Sequence, residues 1–389
     1  MKRVKIGLLA RIVIAIVLGV ALGGLLPSWL IRVFITFNGL FSEFLNFIVP
    51  LIIVGFVTPA IADIGTKAGR MLLITTVIAY ITTLISGFIS YFTGASLFPS
   101  LISGTVSIDQ ISDSINLPPY FTISIPAMLN VMTALVLSFM LGLGIANLGT
   151  PTLKSVFADF KEIVLKTIYK VVLPLLPIYI FGIFLNMTHS GQVMKVLSVF
   201  FVIIGIIFAL HIFVLIFQYV VAGAVAGKNP FKALWNMLPA YFTALGTQSS
   251  AATIPVTLKQ TISNGVSEGV AGFVVPLCAT IHLSGSTLKI VACALALMIM
   301  QGMPYDFSMF AGFIMMLGVT MVAAPGVPGG AIMAALGVLH SMLGFGESEQ
   351  ALMIALYIAM DSFGTACNVT GDGAIAMIID KINGKDNKE

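Results

Sequence analysis

The run Asp361-Ser-Phe-Gly364-Thr365-Ala-Cys-Asn368-Val-Thr-Gly-Asp372 sets two carboxylates and an amide into a segment otherwise apolar enough to cross a bilayer. An ionisable side chain at bilayer depth costs about 2.5 to 3.5 kcal/mol on insertion scales, so it persists only where it faces a cavity, a partner or an ion. At about 100° per residue, Asp361, Thr365, Asn368 and Asp372 follow one another at i, i+4, i+7 and i+11, within one stripe of a helix. That stripe predicts a site for a charged or zwitterionic solute and its coupling ion. The alternative is a buried polar network that only clamps neighbouring helices.

The surrounding chain fits a bilayer. Of its 389 residues 59% are hydrophobic and 9% charged, against about 45–50% apolar and 25% charged in soluble domains. The mean hydropathy is +1.09. About eight apolar segments reach the length of roughly 20 residues that a hydrocarbon core demands of a helix. No stretch is left for a soluble domain, so the class is an all-α polytopic membrane protein. Cys278, Cys293 and Cys367 sit in apolar segments without a pairing pattern, so neither a disulfide framework nor a zinc site is indicated, and they read as small buried hydrophobes. No phosphate loop, metal-ligand cluster or nucleophile triad is present, so neither an enzyme nor a cofactor is predicted. The net charge of +4 is topological rather than nucleic-acid binding.

The first segment, after Met1-Lys-Arg-Val-Lys5, reads as a retained helix. Spans are predicted over 8–31, 40–62 with internal Pro50 and Pro59, and 71–93. Tyr80, Thr82, Thr83 and Ser86 either reach an ion or, the better reading, bond back to their own helix. Residues 96–125, with Asp109, Asp113 and Pro118-Pro119, form a polar connection outside the bilayer. A fourth segment covers 126–149. Lys154, Lys161, Lys166 and Lys170 precede a fifth span broken by Pro174 and Pro177, and a sixth runs over 194–226. A cytoplasmic amino terminus puts Lys67, Arg70, those four lysines, Lys228, Lys232, Lys259 and the basic tail on one side, with only Arg32 and Lys195 opposite. The positive-inside rule therefore assigns both termini to the cytoplasm.

Beyond residue 232 the apolar segments shorten and break, the mark of non-spanning hairpins and discontinuous helices around a midplane site. Residues 235–258 enclose Gly246-Thr-Gln248-Ser249-Ser250-Ala-Ala-Thr-Ile-Pro255, a polar centre between apolar flanks. Backbone turning there cannot face lipid, where unpaired amides are costly, so a re-entrant hairpin is predicted. Residues 270–300 are interrupted at Thr280-Ile-His282-Leu-Ser284-Gly-Ser286. Residues 307–343 hold a second hairpin with the tip Ala323-Ala-Pro325-Gly-Val327-Pro328-Gly-Gly330, and the last span covers 350–379. Two hairpin-then-helix units, 235–300 and 307–379, predict an inverted repeat.

Three signatures, Asp361-x-x-x-Thr365-x-x-Asn368-Val-Thr-Gly-Asp372, Thr247-x-Ser249-Ser250-x-x-Thr-x-Pro255-Val-Thr and Gly326-Val327-Pro328-Gly, together resemble the dicarboxylate/amino acid:cation symporters, which include the glutamate and neutral amino-acid transporters. The similarity extends over essentially the whole chain. It implies eight transmembrane helices plus two re-entrant hairpins in an elevator fold, assembled as a homotrimer in the cell membrane. Residues 1–232 would be mostly scaffold, with helices 3 and 6 lent to a transport core at 233–389. By position, Asp361 would bind a substrate ammonium, and Asn368 and the hairpin backbone at Ser249 and Ser250 its carboxylate. Gln248, Ser286, Val327, Pro328, Gly364 and Thr365 would line the pocket. Asp372, Asn368 and carbonyls near Cys278 and His282 would hold a co-transported sodium, with Tyr80, Thr83, Thr280 and Ser284 as further ion candidates.

Two departures from the family pattern matter. The arginine with which acidic-substrate members pair a side-chain carboxylate is absent, its positions being Gly364 and Gln248, so a neutral amino acid is expected, with Gly364 leaving room for its side chain. The Asn-Met-Asp-Gly pattern of sodium-driven members reads His282-Leu-Ser284-Gly285, which loses a carboxylate and weakens at least one ion site. Lys289 follows in the same apolar stretch. It is read either as a structural or snorkelling lysine, or as an ammonium replacing a lost sodium, with His282 or Lys289 as an alternative proton carrier. His211 and His340 are read as satisfied groups in or beside helices. An intramembrane enzyme using Asp361 and Asp372 is disfavoured, because eleven helical residues separate them by about 16 Å. An anion channel remains the other alternative.

Overall fold

The computed structural model describes residues 7–66, 70–102, 117–149, 151–191, 193–324 and 328–386. Among these, all regular structure is helical. Among the described residues five helices are long and apolar enough to cross a membrane by length and composition, or six when one bent pair counts as a single span.

The first break falls earlier than expected. Helix α1 (Leu8–Leu22) ends before Pro27, and α2 (Ser28–Thr66) runs unbroken through Pro50 and Pro59. Proline lacks an N–H to donate and disfavours helical backbone in the residue before it, so the chain restarts just after Pro27. Helix α3 (Arg70–Ile102) passes the expected end at 93, and residues 103–116, with Asp109 and Asp113, lie outside the described residues. The segment 117–130 is irregular and is strapped along α2. There Pro118 O accepts from Arg32 Nε (2.9 Å), Tyr120 N donates to Thr36 Oγ1 (2.9 Å) and Ile125 N to Glu43 Oε2 (2.8 Å).

Asn130 caps α4 (Val131–Leu148). The four lysines that the sequence places ahead of the fifth span belong to one continuous rod instead. Helix α5 (Pro151–Thr167) passes through a π turn at Ile168–Val172 into α6 (Leu173–His189). That wide turn displaces the carbonyl that the Pro174 ring would otherwise strike, so the proline does not end the helix. Helix α7 (Val193–Ala226) follows, mostly apolar beyond Lys195 and Ser198 in its first turns, with His211, Gln218 and Tyr219 farther along.

The second half is made of short helices: α8 (Pro230–Asn236), α9 (Leu238–Thr247), α10 (Ser250–Ser263), α11 (Glu268–Ile281), α12 (Ser284–Gln301), α13 (Phe307–Val322), α14 (Gly330–Leu343), α15 (Glu347–Ala359) and α16 (Asp361–Asp386). Two helical pairs, α9/α10 and α13/α14, stand where the two hairpins are expected. Gln248, between α9 and α10, has φ 53° and is the one non-glycine with positive φ among the described residues. Such backbone in a side-chain-bearing residue is held by its surroundings and clusters at functional turns. The last span is not straight: α15 and α16 meet at Met360 with a bend of 62°.

Helix α12 lies against α3, and α16 against α7, α9, α10 and α11. Packing is close enough that a Cβ on Gly285 would meet Cys367 Cβ at 2.6 Å and the Gly364 carbonyl at 2.7 Å. This glycine lets α12 and α16 touch backbone to backbone. Around the periphery, large apolar side chains such as Phe201, Ile212 and Phe213 are exposed, as a hydrocarbon environment allows.

Candidate functional site

The site forms where two helix breaks meet. Helix α11 ends at Ile281, His282 and Leu283 leave the helical path, and α12 restarts at Ser284, as the polar interruption predicts. A restarting helix exposes N–H groups with no partner of their own. Asn368, projecting from α16, supplies one: its Oδ1 accepts from Gly285 N at 2.8 Å and Ser286 N at 3.3 Å. Its Nδ2 donates to Ser286 Oγ at 3.1 Å, and that hydroxyl lies 3.0 Å from Tyr357 OH. Asn368 thus joins α16 to the start of α12, and Ser286 carries the network on to α15.

Asp361 opens α16 at the bend and is buried. Its Oδ1 accepts from Lys289 Nζ at 3.1 Å and its Oδ2 from Gly329 N at 2.8 Å. Lys289 is fully buried, its ammonium 3.5 Å from Tyr357 O, 3.4 Å from Met360 O and 3.5 Å from the Tyr357 ring centroid. The snorkelling reading therefore fails, because the lysine turns inward to the carboxylate. The space that Gly364 leaves is filled as well: a Cβ there would lie 2.7 Å from Lys289 Nζ and 2.8 Å from its Cε. The room expected for a substrate side chain holds the end of Lys289.

Asp372 sits one turn beyond Asn368. Its Oδ1 lies 2.9 Å from His282 Nδ1, with both side chains buried. Because an ionised carboxylate only accepts, Nδ1–H donates. His282 Nε2 and Gln218 Oε1 have no partner among the described residues, and both side chains approach Gly371, where a Cβ would lie 2.5 Å from Gln218 Oε1 and 2.7 Å from His282 Cε1. Gln218 Nε2 reaches Ser284 Oγ at 3.2 Å. His282 and Lys289, which share one apolar stretch, serve different carboxylates, with the helix break between them.

The remaining predicted residues divide. Thr365 is buried on the same helix. Ser249 caps α10, Ser250 is buried in its first turn, and Gln248 is half-buried at the preceding turn; α9 and α10 both pack on α16. Pro328 is half-buried beside Gly329, and Val327 lies outside the described residues. The hydroxyls of Thr82, Thr83, Ser86 and Thr280 bond carbonyls of their own helices. Tyr80 donates to Met315 O of α13 at 3.1 Å, tying α3 to that helix. Cys278 is buried, and its carbonyl accepts from His282 N at 2.9 Å, the last bond of α11. His340 Nδ1 meets Phe345 O at 2.9 Å, as expected, whereas His211 is only half satisfied: its Nε2 meets Gly285 O at 3.0 Å while its Nδ1 is buried with no partner among the described residues.

Tyr357 and Gln218 were missed. Gln218 had a signal, a lone amide deep in an apolar helix. Tyr357 lies four residues before Asp361, one turn ahead of the stripe that begins at that carboxylate.

A polar stripe on a broken helix, facing a second break and the turn of a helical pair, is an arrangement that transporters use to bind solutes away from lipid. The sodium:dicarboxylate symporter family profile matches residues 8–382. The chain belongs to this family. As a member of the sodium:dicarboxylate symporters it is a membrane transporter and not an enzyme. It is 26% identical over 396 residues to the serine/threonine transporter SstT of Acinetobacter baylyi, a match covering 97% of this chain and 98% of that protein. Over 146 residues it is 30% identical to the neutral amino acid transporter B(0) of Rattus norvegicus, covering 37% and 26% of the two chains. An excitatory amino acid transporter of Caenorhabditis elegans is 27% identical over 259 residues, covering 64% and 50%.

Proposed function

We propose that this symporter imports a neutral amino acid by secondary active transport. The observation that carries the reading is the buried stripe of α16, Asp361, Thr365, Asn368 and Asp372, set against the Gly329 turn and the start of α12. Asp361 receives the substrate ammonium, and the amide end of α10 at Ser249 and Ser250 receives its carboxylate, as helix N-termini favour anions. No arginine occurs after Arg70. The buried cation nearest Gly364, Lys289, already has Asp361 as its counter-charge, so a second carboxylate on the substrate would find no free partner. Serine and threonine, the substrates in the name of a relative matched over 98% of its length, fit that requirement.

In this reading the chain has eight membrane-spanning helices and two re-entrant hairpins, α9/α10 and α13/α14, with both termini cytoplasmic. Residues 1–232 are mostly scaffold and 233–389 mostly the moving core, and three copies form a trimer in the cell membrane. Packing of α12 on α3 and of α16 on α7 supports lending those two long helices to the core. Sodium is the expected driving ion, held by Asp372 and the carbonyls around it. One observation favours a second reading: both carboxylates of the stripe already have basic partners within the chain, Lys289 and His282. Uptake would then be sodium-independent or proton-driven.

Purified protein in proteoliposomes tests both readings with sodium and pH gradients imposed separately and labelled L-serine as the solute. Saturable accumulation that L-alanine competes for and L-aspartate does not supports the neutral amino-acid reading. Competition by aspartate at least as strong as by alanine refutes it, and accumulation driven by the pH gradient alone replaces sodium with protons.

A further inference from the structure

At the bend between α15 and α16 four electron-rich groups surround one ammonium. Asp361 Oδ1 is 3.1 Å from Lys289 Nζ, the carbonyls of Met360 and Tyr357 are 3.4 and 3.5 Å away, and the Tyr357 ring centroid is at 3.5 Å. Both carbonyls belong to the C-terminal end of α15, where the helix dipole is negative, and an aromatic face attracts cations. None of the four is a donor, so together they suit a cationic headgroup. Only the carboxylate contact is short, the carbonyls standing at the limit of hydrogen bonding. The ammonium is thus held by one strong partner and several weak ones, at the end of an unbranched stem.

Asp361 does not depend on the lysine for its orientation. Its other oxygen accepts from Gly329 N at 2.8 Å, which keeps the carboxylate aimed into the site when the lysine leaves. Gly364 removes the side chain that would otherwise occupy the lysine's place.

We propose that Lys289 is a tethered stand-in for the cargo ammonium, occupying the cage of Asp361 while the carrier is empty and giving it up when an amino acid binds. The inference rests on the amino-acid reading above. An empty carrier with a bare buried carboxylate would have to recruit a cation from solution before that carboxylate could move through hydrocarbon; this chain carries its own. Substrate ammonium and Lys289 then compete for one oxygen, which lowers apparent affinity while allowing the empty carrier to return.

Methylammonium, the smallest mimic of the cargo headgroup, is the probe. Thermal unfolding of the purified wild type, Lys289→Met, Lys289→Gln and the double variant Lys289→Met/Asp361→Asn is compared in methylammonium chloride and choline chloride at equal ionic strength. A saturable upward shift is expected in the two single variants, whose cage is vacant, and not in the wild type or the double variant. Equal shifts in wild type and single variants, no shift in any protein, or a shift retained in the double variant overturns the proposal. A second arm uses L-serine in proteoliposomes: Lys289→Gln is expected to show an apparent KM for serine exchange about tenfold lower, because no charge-assisted bond has to be displaced, with net uptake into serine-free vesicles slowed. A merely structural lysine would depress exchange and net uptake together. Failure of every protein, wild type included, to carry L-serine refutes the amino-acid reading, while the methylammonium shifts still decide whether the cage accepts a free ammonium.

Discussion

Gly364→Ala brings the buried ion pair to a test that the structure makes quantitative. The glycine is helical, so alanine fits its backbone and by propensity alone would stabilise α16 by about 1 kcal/mol. The new Cβ, however, would lie 2.7 Å from Lys289 Nζ, 2.8 Å from Cε and 3.3 Å from Cδ. These atoms are the far end of a flexible side chain, so no backbone has to move; the lysine moves instead, and Asp361 loses its counter-charge. Separating a buried pair costs about 3–5 kcal/mol, because the charge left behind has neither water nor partner. The net expectation is a loss of about 2–4 kcal/mol. Reversible unfolding of the purified protein in mixed detergent measures it, in a cycle with Lys289→Met. Once the ammonium is absent the clash meets no charge, so Gly364→Ala should cost less than about 1 kcal/mol in that background, and the difference is the coupling. A neutral or stabilising Gly364→Ala in the wild type, or the same cost in both backgrounds, would refute the reasoning.

Other substitutions separate the remaining contacts. Asn368→Ala strips the acceptor from the Gly285 and Ser286 amides, each worth about 1–3 kcal/mol when left buried and unpaired; the variant should be less stable by at least about 2 kcal/mol in the same unfolding assay. His282→Ala leaves Asp372 without its 2.9 Å partner and should destabilise by about 3 kcal/mol or more, whereas His282→Ala/Asp372→Asn should recover at least half of that loss. Tyr80→Phe removes one hydroxyl contact to α13, so a loss of about 0.5–1.5 kcal/mol is expected, with unchanged ion dependence of uptake; a changed ion dependence would restore Tyr80 as an ion ligand.

Hydropathy and interruption carried much of the architecture into the sequence. The break at His282-Leu283 and the two helical pairs fall where the polar and Gly/Pro-rich stretches put them. Boundaries set by proline were less legible, since Pro50 and Pro59 pass inside α2 and a π turn absorbs the strain at Pro174. A membrane helix tolerates such defects when neighbours satisfy the freed carbonyls, and neighbours are tertiary information. The candidate site was legible as a stripe but not as a set of pairs. Periodicity places Asp361 and Asp372 on one face of α16, yet it cannot tell that Lys289 bends inward or that the 62° corner turns the Tyr357 ring beneath the ammonium. The absent side chain at Gly364 was visible, but what fills its place depends on a helix distant in sequence.

The corner between α15 and α16 also bears on how the membrane voltage acts on this carrier. A potential of 100 mV exerts about 2.3 kcal/mol on each unpaired elementary charge that crosses it. Lys289 and Asp361 belong to helices packed against each other and carry opposite charges 3.1 Å apart. Any movement that takes α12 and α16 together displaces no net charge from this pair, so the field does no work on it in either direction. A carboxylate covered instead by a cation drawn from solution would cross neutral while covered and carry its negative charge alone once bare, so the potential would act on the bare passage.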